Sequence, residues 1–329
     1  MGQGEKRPGE FELIERYFRP LAGRAGLGLR DDVALLSPDS GFELAVTVDA
    51  IVEGFDFLAD DPPEAIAAKA LRVNLSDLAA KGAEPFAYLL ALGLPDHWTE
   101  TFVARFAAGL AKDQGLYGVD LIGGDMGRSG ERLTVTITAF GRVPTGTLVT
   151  RDGAEIGDTV VVTSTIGDAA LGLRLRKAGA TDADGEDARH LLGRLRYPRP
   201  RTELAPLLRR YATAAIDVSD GLVADLGALC DASGVSAEVD AERVPLSPAA
   251  ERTLAADPAL IETILTGGED YEILFTAASG DAEAAIAEAA ALGISVTAIG
   301  TVLAGEATPT FRHSSDTLRF ARPGWDHFG

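Results

Sequence analysis

Short apolar runs rich in β-branched residues alternate with stretches of helical periodicity along the whole chain, and that alternation restricts it to layered α/β or α+β architectures. Residues 43–49 (ELAVTVD), 86–93 (FAYLLALG), 119–122 (VDLI) and 133–141 (LTVTITAFG) have the length and turn-forming boundaries of strands. Between them, 63–81 opens on Pro62-Pro63 and stops before Gly82, the arrangement of a helix with proline in its first turn and glycine after its last. A second helix is predicted over 99–114. A turn-rich segment, 142–158, interrupts the pattern, which restarts with strands 159–167, 212–217, 236–240, 271–277 and 295–302. Helices are expected at 168–178, 202–211, 221–232 and 281–291. A chain of 329 residues is long enough for about two domains. The boundary falls between 145 and 155, drawn here as domains 1–148 and 149–329.

The bulk properties narrow the function classes. A formal charge of -20 argues against nucleic acid as a partner, because phosphate backbones are bound by basic surfaces. No apolar stretch approaches the roughly 18 residues of a membrane helix, and MGQGEKRPGE lacks the apolar core of a secretory signal, so the expected address is the cytoplasm. One cysteine, Cys230, cannot form an internal disulfide, and His97, His190, His313 and His327 show no zinc spacing.

Several acids stand where a solvated surface does not explain them. Asp49 closes ELAVTVD, Asp125 directly follows a strand in LIGGDMG, and Asp217 and Asp220 lie in AIDVSDGL between a strand and a helix. Ligand sites in open α/β sheets collect at strand exits. Asp220 also suits a helix N-cap, and Asp31 and Asp32 suit a turn. Asp77 falls on the apolar stripe of Ile66, Ala70 and Val73, so its carboxyl must be neutral, hydrogen-bonded, paired with a base or bound to metal. Together these acids suggest a hydrated Mg²⁺ site, and Mg²⁺ with few carboxylates commonly bridges substrate phosphates. A nucleotide triphosphate is the expected guest. The chain has no G-x-x-x-x-G-K-[ST] loop and no protein-kinase motif set, so such a site must use another fold.

The motifs DDVALL, VDAIVEGFDF, KALRVNLSDLAAKGAEP, LIGGDMGR, TRDGAEIGD, AIDVSDGLVADL, GGEDYEILF and GWDHF, in this order, resemble the thiamine-monophosphate kinase family. That family lies in the superfamily of aminoimidazole-ribonucleotide synthetase and selenophosphate synthetase. The resemblance implies a two-domain α/β (α+β) fold whose N-terminal mixed sheet dimerises, and ATP-dependent phosphorylation of thiamine monophosphate to thiamine diphosphate. It implies that Asp32, Thr47, Asp49, Asp77 and Asp125 hold Mg²⁺ ions with the Val48 carbonyl, and that Asp217 and Asp220 complete the metal shell. Ser219, Arg151 and the backbone at Gly124 would contact ATP, with Asp125 beside them. Glu269 and Trp325 would meet the thiamine body, a carboxylate and an aromatic face being suited to a cationic ring system. Glu269 also suits a surface turn, and Trp325 an anchor for the C-terminal tail.

The chain departs from the family pattern at three places. Asp56 stands where histidine is usual on the substrate side, Arg30 where glycine is common, and Met126-Gly127 where small hydroxyl residues often follow GGD. Rival readings are another ATP-dependent synthetase of the superfamily and a nucleotide-binding module without turnover. A selenide enzyme would carry a reactive cysteine near its N-terminus, and Cys230 lies deep in the second half.

Overall fold

The computed structural model describes residues 8–30, 34, 36–37, 39–306, 308–314 and 316–325. It divides into two compact units, one of residues 1–78 and 84–145, the other of 79–83 and 146–329.

The first unit is built on a four-stranded sheet of order β1-β4-β2-β3, comprising β1 (Phe42–Val52), β2 (Glu84–Pro95), β3 (Asp120–Gly130) and β4 (Thr134–Pro144). β4 pairs antiparallel with β1 and β2, and β2 pairs parallel with β3, so the open edges are β1 and β3. A short helix α1 (Glu10–Leu13) begins the described chain; α2 (Pro63–Ala80) and α3 (Glu100–Tyr117) follow. Thr99 caps α3 through its hydroxyl, which accepts the Phe102 N–H, and Gly118 in the left-handed region ends it. Gly109 lets α2 and α3 approach closely, since a Cβ there would lie 2.8 Å from Glu64 Cα. The buried pair Arg72–Asp113 joins the same helices with two hydrogen bonds of 2.6 and 2.7 Å.

β1 shows the period of two expected of a strand with unlike faces. Ala45, Thr47 and Asp49 are half-buried, while Phe42, Leu44, Val46, Val48 and Ala50 are exposed. The two faces therefore have different jobs. Bonds to α2 identify the half-buried side as the inner face, and the apolar outer face stays open.

The second unit holds a seven-stranded sheet of order β11-β10-β7-β9-β5-β8-β6. Its strands are β5 (Thr159–Thr163), β6 (Ala214–Asp217), β7 (Ser236–Asp240), β8 (Ile273–Ala277), β9 (Val296–Leu303), β10 (Thr310–His313) and β11 (Asp316–Thr317). The helices are α4 (Asp168–Lys177), α5 (Glu186–Arg196), α6 (Ala205–Tyr211), α7 (Leu222–Ser233), α8 (Pro248–Ala256), α9 (Leu260–Thr266) and α10 (Ser279–Ala291). One buried cluster packs α4, α7, α8 and α9 through residues such as Leu171, Leu226, Ala250 and Ile264; a second gathers Leu207, Phe275 and Ala285 with Ala79 and Ala80. The fold is thus mixed α/β with two sheets, as the alternation of patterns predicts.

Two boundaries differ from the sequence reading. Asp49 and Asp125 lie inside strands, not at their exits, because β1 runs on to Val52 and β3 continues through GGDMGRSG to Gly130. Pairing with β2 keeps that glycine-rich segment extended where its own composition favours a turn. Helices α1, α5, α8 and α9 add to the expected set; α1 and α9 span only four and seven residues, too short for a periodic stripe.

Candidate functional site

In the first unit the expected metal-binding residues fall on two sides of one sheet. On the inner face, Thr47 Oγ1 donates to Asp77 Oδ2 at 2.5 Å, which gives the half-buried carboxyl one of the partners its place on the apolar stripe demands. The Asp49 N–H donates to Asn74 Oδ1 at 3.0 Å, and Asn74 is held in turn by its own Nδ2 donating to the Ala70 carbonyl. Asn74 is fully buried, so it fixes the distance between β1 and α2 at the level of Asp49. The alternation along β1 turns the Val48 side chain to the open face, leaving its backbone as the part available beside Thr47 and Asp49.

Asp125 lies elsewhere. Paired residues in a sheet share a face, and Asp125 pairs with Ala91, Ala91 with Thr136, and Thr136 with Ala50. That row is the outer one, whereas Asp49, Ile137, Leu90 and Gly124 form the neighbouring inner row. Asp49 and Asp125 therefore occupy opposite edges and opposite faces, with three strand spacings of about 4.8 Å between their strands. Asp125 instead opens on a cavity of about 650 Å³ that Phe11, Ile14, Leu89, Gly124 and Phe140 also line. Gly124 has no substitute: a Cβ there would lie 1.9 Å from the Leu90 carbonyl oxygen.

The turn after β1 carries Asp56. Its Oδ2 accepts the Val52 N–H at 2.7 Å, and the buried Lys69 donates to its carbonyl oxygen at 2.5 Å. The Asp56 carboxylate thus closes the turn. Phe57 is buried beside it, while Phe55 is exposed with the Arg132 guanidinium 4.9 Å above its ring. Asp32 lies outside the described residues, as does the Asp326–Phe328 part of GWDHF.

In the second unit five expected residues meet on one loop. β6 ends at the buried Asp217, and Val218-Ser219-Asp220-Gly221 leads into α7. The segment 268–272 runs beside it: Glu269 N–H donates to the Ser219 carbonyl, Tyr271 N–H to the Val218 carbonyl and Val218 N–H to the Glu272 carbonyl, each at 2.8 Å. Gly268 permits that approach, since a Cβ would stand 2.1 Å from the Ser219 oxygen. Trp325 N–H donates to the Asp220 carbonyl at 2.9 Å, which anchors this segment through backbone, and the residue is 52% exposed. Arg151 is exposed on a turn beside β6, where the Ala215 N–H donates to the Thr150 carbonyl.

Asp220 does not cap α7. Gly221 occupies the N-cap without a side-chain bond, and the loop is organised by Asp225, whose Oδ2 accepts the N–H groups of Ser219, Asp220 and Gly221 at 3.0–3.1 Å. Burial first, and then the neighbouring Asp217 and Asp220, push the Asp225 carboxyl well above the usual carboxylate range. Sequence reasoning passed over Asp225. Its one signal was an acid in the first turn of a helix directly after a glycine.

The donor set is oxygen throughout: carboxylates, a threonine hydroxyl and a backbone carbonyl. That chemistry suits a hard cation such as Mg²⁺. Among the described residues no three acids, histidines or cysteines are gathered to hold an ion by themselves.

Comparison with known proteins identifies the frame. Residues 30–143 match the model for AIR synthase related protein, N-terminal domain, and 155–310 the model for its C-terminal domain. A thiamine-monophosphate kinase of Caulobacter vibrioides is 41% identical over 325 residues, covering 97% of this chain and 91% of that protein. The crystal structure of thiamine-monophosphate kinase from Stenotrophomonas maltophilia superposes with a TM-score of 0.83 at 39% identity, over 94% of this chain and 98% of the other. AaThiL complexed with AMPPCP and TMP gives a TM-score of 0.78 at 32% identity and covers 97% of each chain. With both domain models matched in order and full-length relatives at this identity, the chain belongs to the AIR synthase related proteins and, within them, to the thiamine-monophosphate kinase family.

Proposed function

We propose that this protein transfers the γ-phosphoryl group of ATP directly to the phosphate of thiamine monophosphate, giving thiamine diphosphate and ADP. The observation that carries this reading is the shared loop of the second unit, where the phosphate-side residue Ser219 is bonded to the substrate-side residue Glu269, and the metal-side Asp220 to Trp325. A relative that binds AMPPCP and TMP together supports it.

The chemistry follows from charge. Donor and acceptor are both anionic phosphates, so repulsion must be relieved before in-line attack. Asp32, Thr47, the Val48 carbonyl, Asp49, Asp77, Asp125, Asp217 and Asp220 would hold Mg²⁺, whose charge neutralises the triphosphate when bound. Ser219, Arg151 and the Gly124 backbone hold the nucleotide phosphates; Glu269 and Trp325 orient the thiamine cation. Asp56 serves on the substrate side through the turn that it closes. A phosphate oxygen is already a competent nucleophile at neutral pH, so no side chain has to remove a proton, and positioning supplies most of the rate.

The working form is a homodimer in the cytoplasm. Asp49 and Asp125 sit on opposite faces and edges of one sheet and cannot meet within it. A second copy is therefore the source of the Asp125 that acts with Asp49. Among the described residues no helix is long and apolar enough to cross a membrane.

Incubation with ATP, Mg²⁺ and thiamine monophosphate, followed by separation of products, tests the reading. Thiamine diphosphate formed mole for mole with ADP is expected. Nucleotide binding without turnover would sink it.

A further inference from the structure

The segment that carries Glu269 is strained. Glu269 and Tyr271 have φ of 79° and 51°, a left-handed conformation that is costly for a residue with a side chain and persists only where the surroundings impose it. The intervening residues show what imposes it. Asp270 and Glu272 alternate with Glu269 and Tyr271 and point inward; they are 1% and 0% exposed. Asp270 accepts the N–H groups of Gly167 and Ala169 at 2.7 and 3.3 Å, closing the start of α4. Glu272 accepts from Thr163 Oγ1 at 2.7 Å, from Arg194 at 2.8 Å, and from Arg201 through a fork at 2.6 and 2.7 Å.

Arg194 joins these anchors. Its guanidinium is 6% exposed and donates both to the Glu272 carboxylate and, at 3.3 Å, to the Asp270 carbonyl, while its Nε lies 4.0 Å from the buried Asp168. It thus grips the main chain one residue after Glu269 and the side chain three residues after it. A planar, permanently charged fork can do this where a lysine ammonium cannot.

We propose that Arg194 is a positioning residue for substrate binding: by holding Asp270 and Glu272 it keeps the strained 269–271 backbone in the one conformation that presents Glu269 to the thiamine cation and bonds it to Ser219. This rests on the reading of Glu269 as the thiamine-side carboxylate. Arg194 has no role in the phosphoryl transfer itself, so its loss acts on substrate affinity more than on the chemical step.

A double-mutant cycle on the full-length enzyme separates this from a purely structural role. Arg194→Met is expected to raise the KM for thiamine monophosphate about tenfold while kcat changes less than about threefold, a loss of uniform binding. Arg194→Lys restores little of it. Glu269→Gln raises the same KM, and adding Arg194→Met to it then costs less than about twofold, because the residue being positioned is already disabled. Thr163→Val removes one hydroxyl donor to Glu272 and carries the same cycle should Arg194→Met not fold. Multiplicative effects in the cycle, or a fall in Tm with the KM unchanged, overturn the positioning role and leave the kinase reading standing. A wild-type enzyme that neither binds nor phosphorylates thiamine monophosphate removes both.

Discussion

The two units hold their functional acids in opposite ways. In the first, Asp49, Asp77 and Asp125 stand on sheet and helix surfaces, half-buried or exposed, with Asp77 bonded to Thr47 and the Asp49 N–H to Asn74. In the second, Asp225, Asp270 and Glu272 are buried, and backbone N–H groups, a hydroxyl and arginines compensate for the cost of burial. The contrast teaches a division of labour. Acids on the cation side stay accessible, with the buried Asp217 as the exception; acids that shape a loop can be buried, because an interior hydrogen bond to a carboxylate holds a conformation firmly.

The largest effect that can test this contrast is on turnover. Asp77→Asn keeps an acceptor for the Thr47 hydroxyl but removes the charge, and should cut turnover about 10²-fold or more, as expected for several kcal/mol of lost charge stabilisation. The melting temperature should move little. A near-normal rate would remove Asp77 from the metal set.

Next comes the dimer. Differently tagged copies carrying Asp49→Asn and Asp125→Asn, purified as a heterodimer, should recover about half the wild-type activity and bind about one Mg–AMPPCP per dimer, because one site then has both lesions and the other none. Each mutant homodimer should be inactive. A heterodimer as inactive as its parents would place both residues in a site made by one chain.

In the second unit the expected effect moves from rate to stability. Asp225→Ala leaves the N–H groups of Ser219, Asp220 and Gly221 without their carboxylate and should cost about 2–4 kcal/mol in urea unfolding. A loss below about 0.5 kcal/mol would mean that the loop holds itself.

The last effect is a pH dependence. Burial, the main cause, pushes the Asp270 carboxyl up to about 8, against about 4 in the unfolded chain. A folded-state value above the unfolded one means that this group's contribution is complete below about pH 4 and is lost as the pH rises through about 8. Between pH 5 and 9 the wild type should therefore lose melting temperature relative to Asp270→Asn. Parallel curves would show that Asp270 is ionised throughout.

Much of the fold was legible because it is written locally. Val46 to Asp49 alternate with period two, Ile66 to Asp77 recur at helical spacing, and both patterns survive translation into β1 and α2. The misfit of Asp77 on its stripe was equally legible, whereas the Leu90 carbonyl that requires glycine at position 124 was not. The ends of β1 and β3 were misread because pairing with a neighbour, not composition, decides where a glycine-rich strand stops.

By itself the sequence determined which residues could do chemistry and which segments could carry them, since residue type, periodicity and turn formers act over a few positions. Tertiary structure decided which of them share a face or a loop. Register put Asp125 on the opposite face from Asp49, a long-range ladder joined Glu269 to Ser219, and Asp56 became the closure of its own turn. Those outcomes depend on contacts between residues far apart in the chain, whose geometry no local pattern encodes.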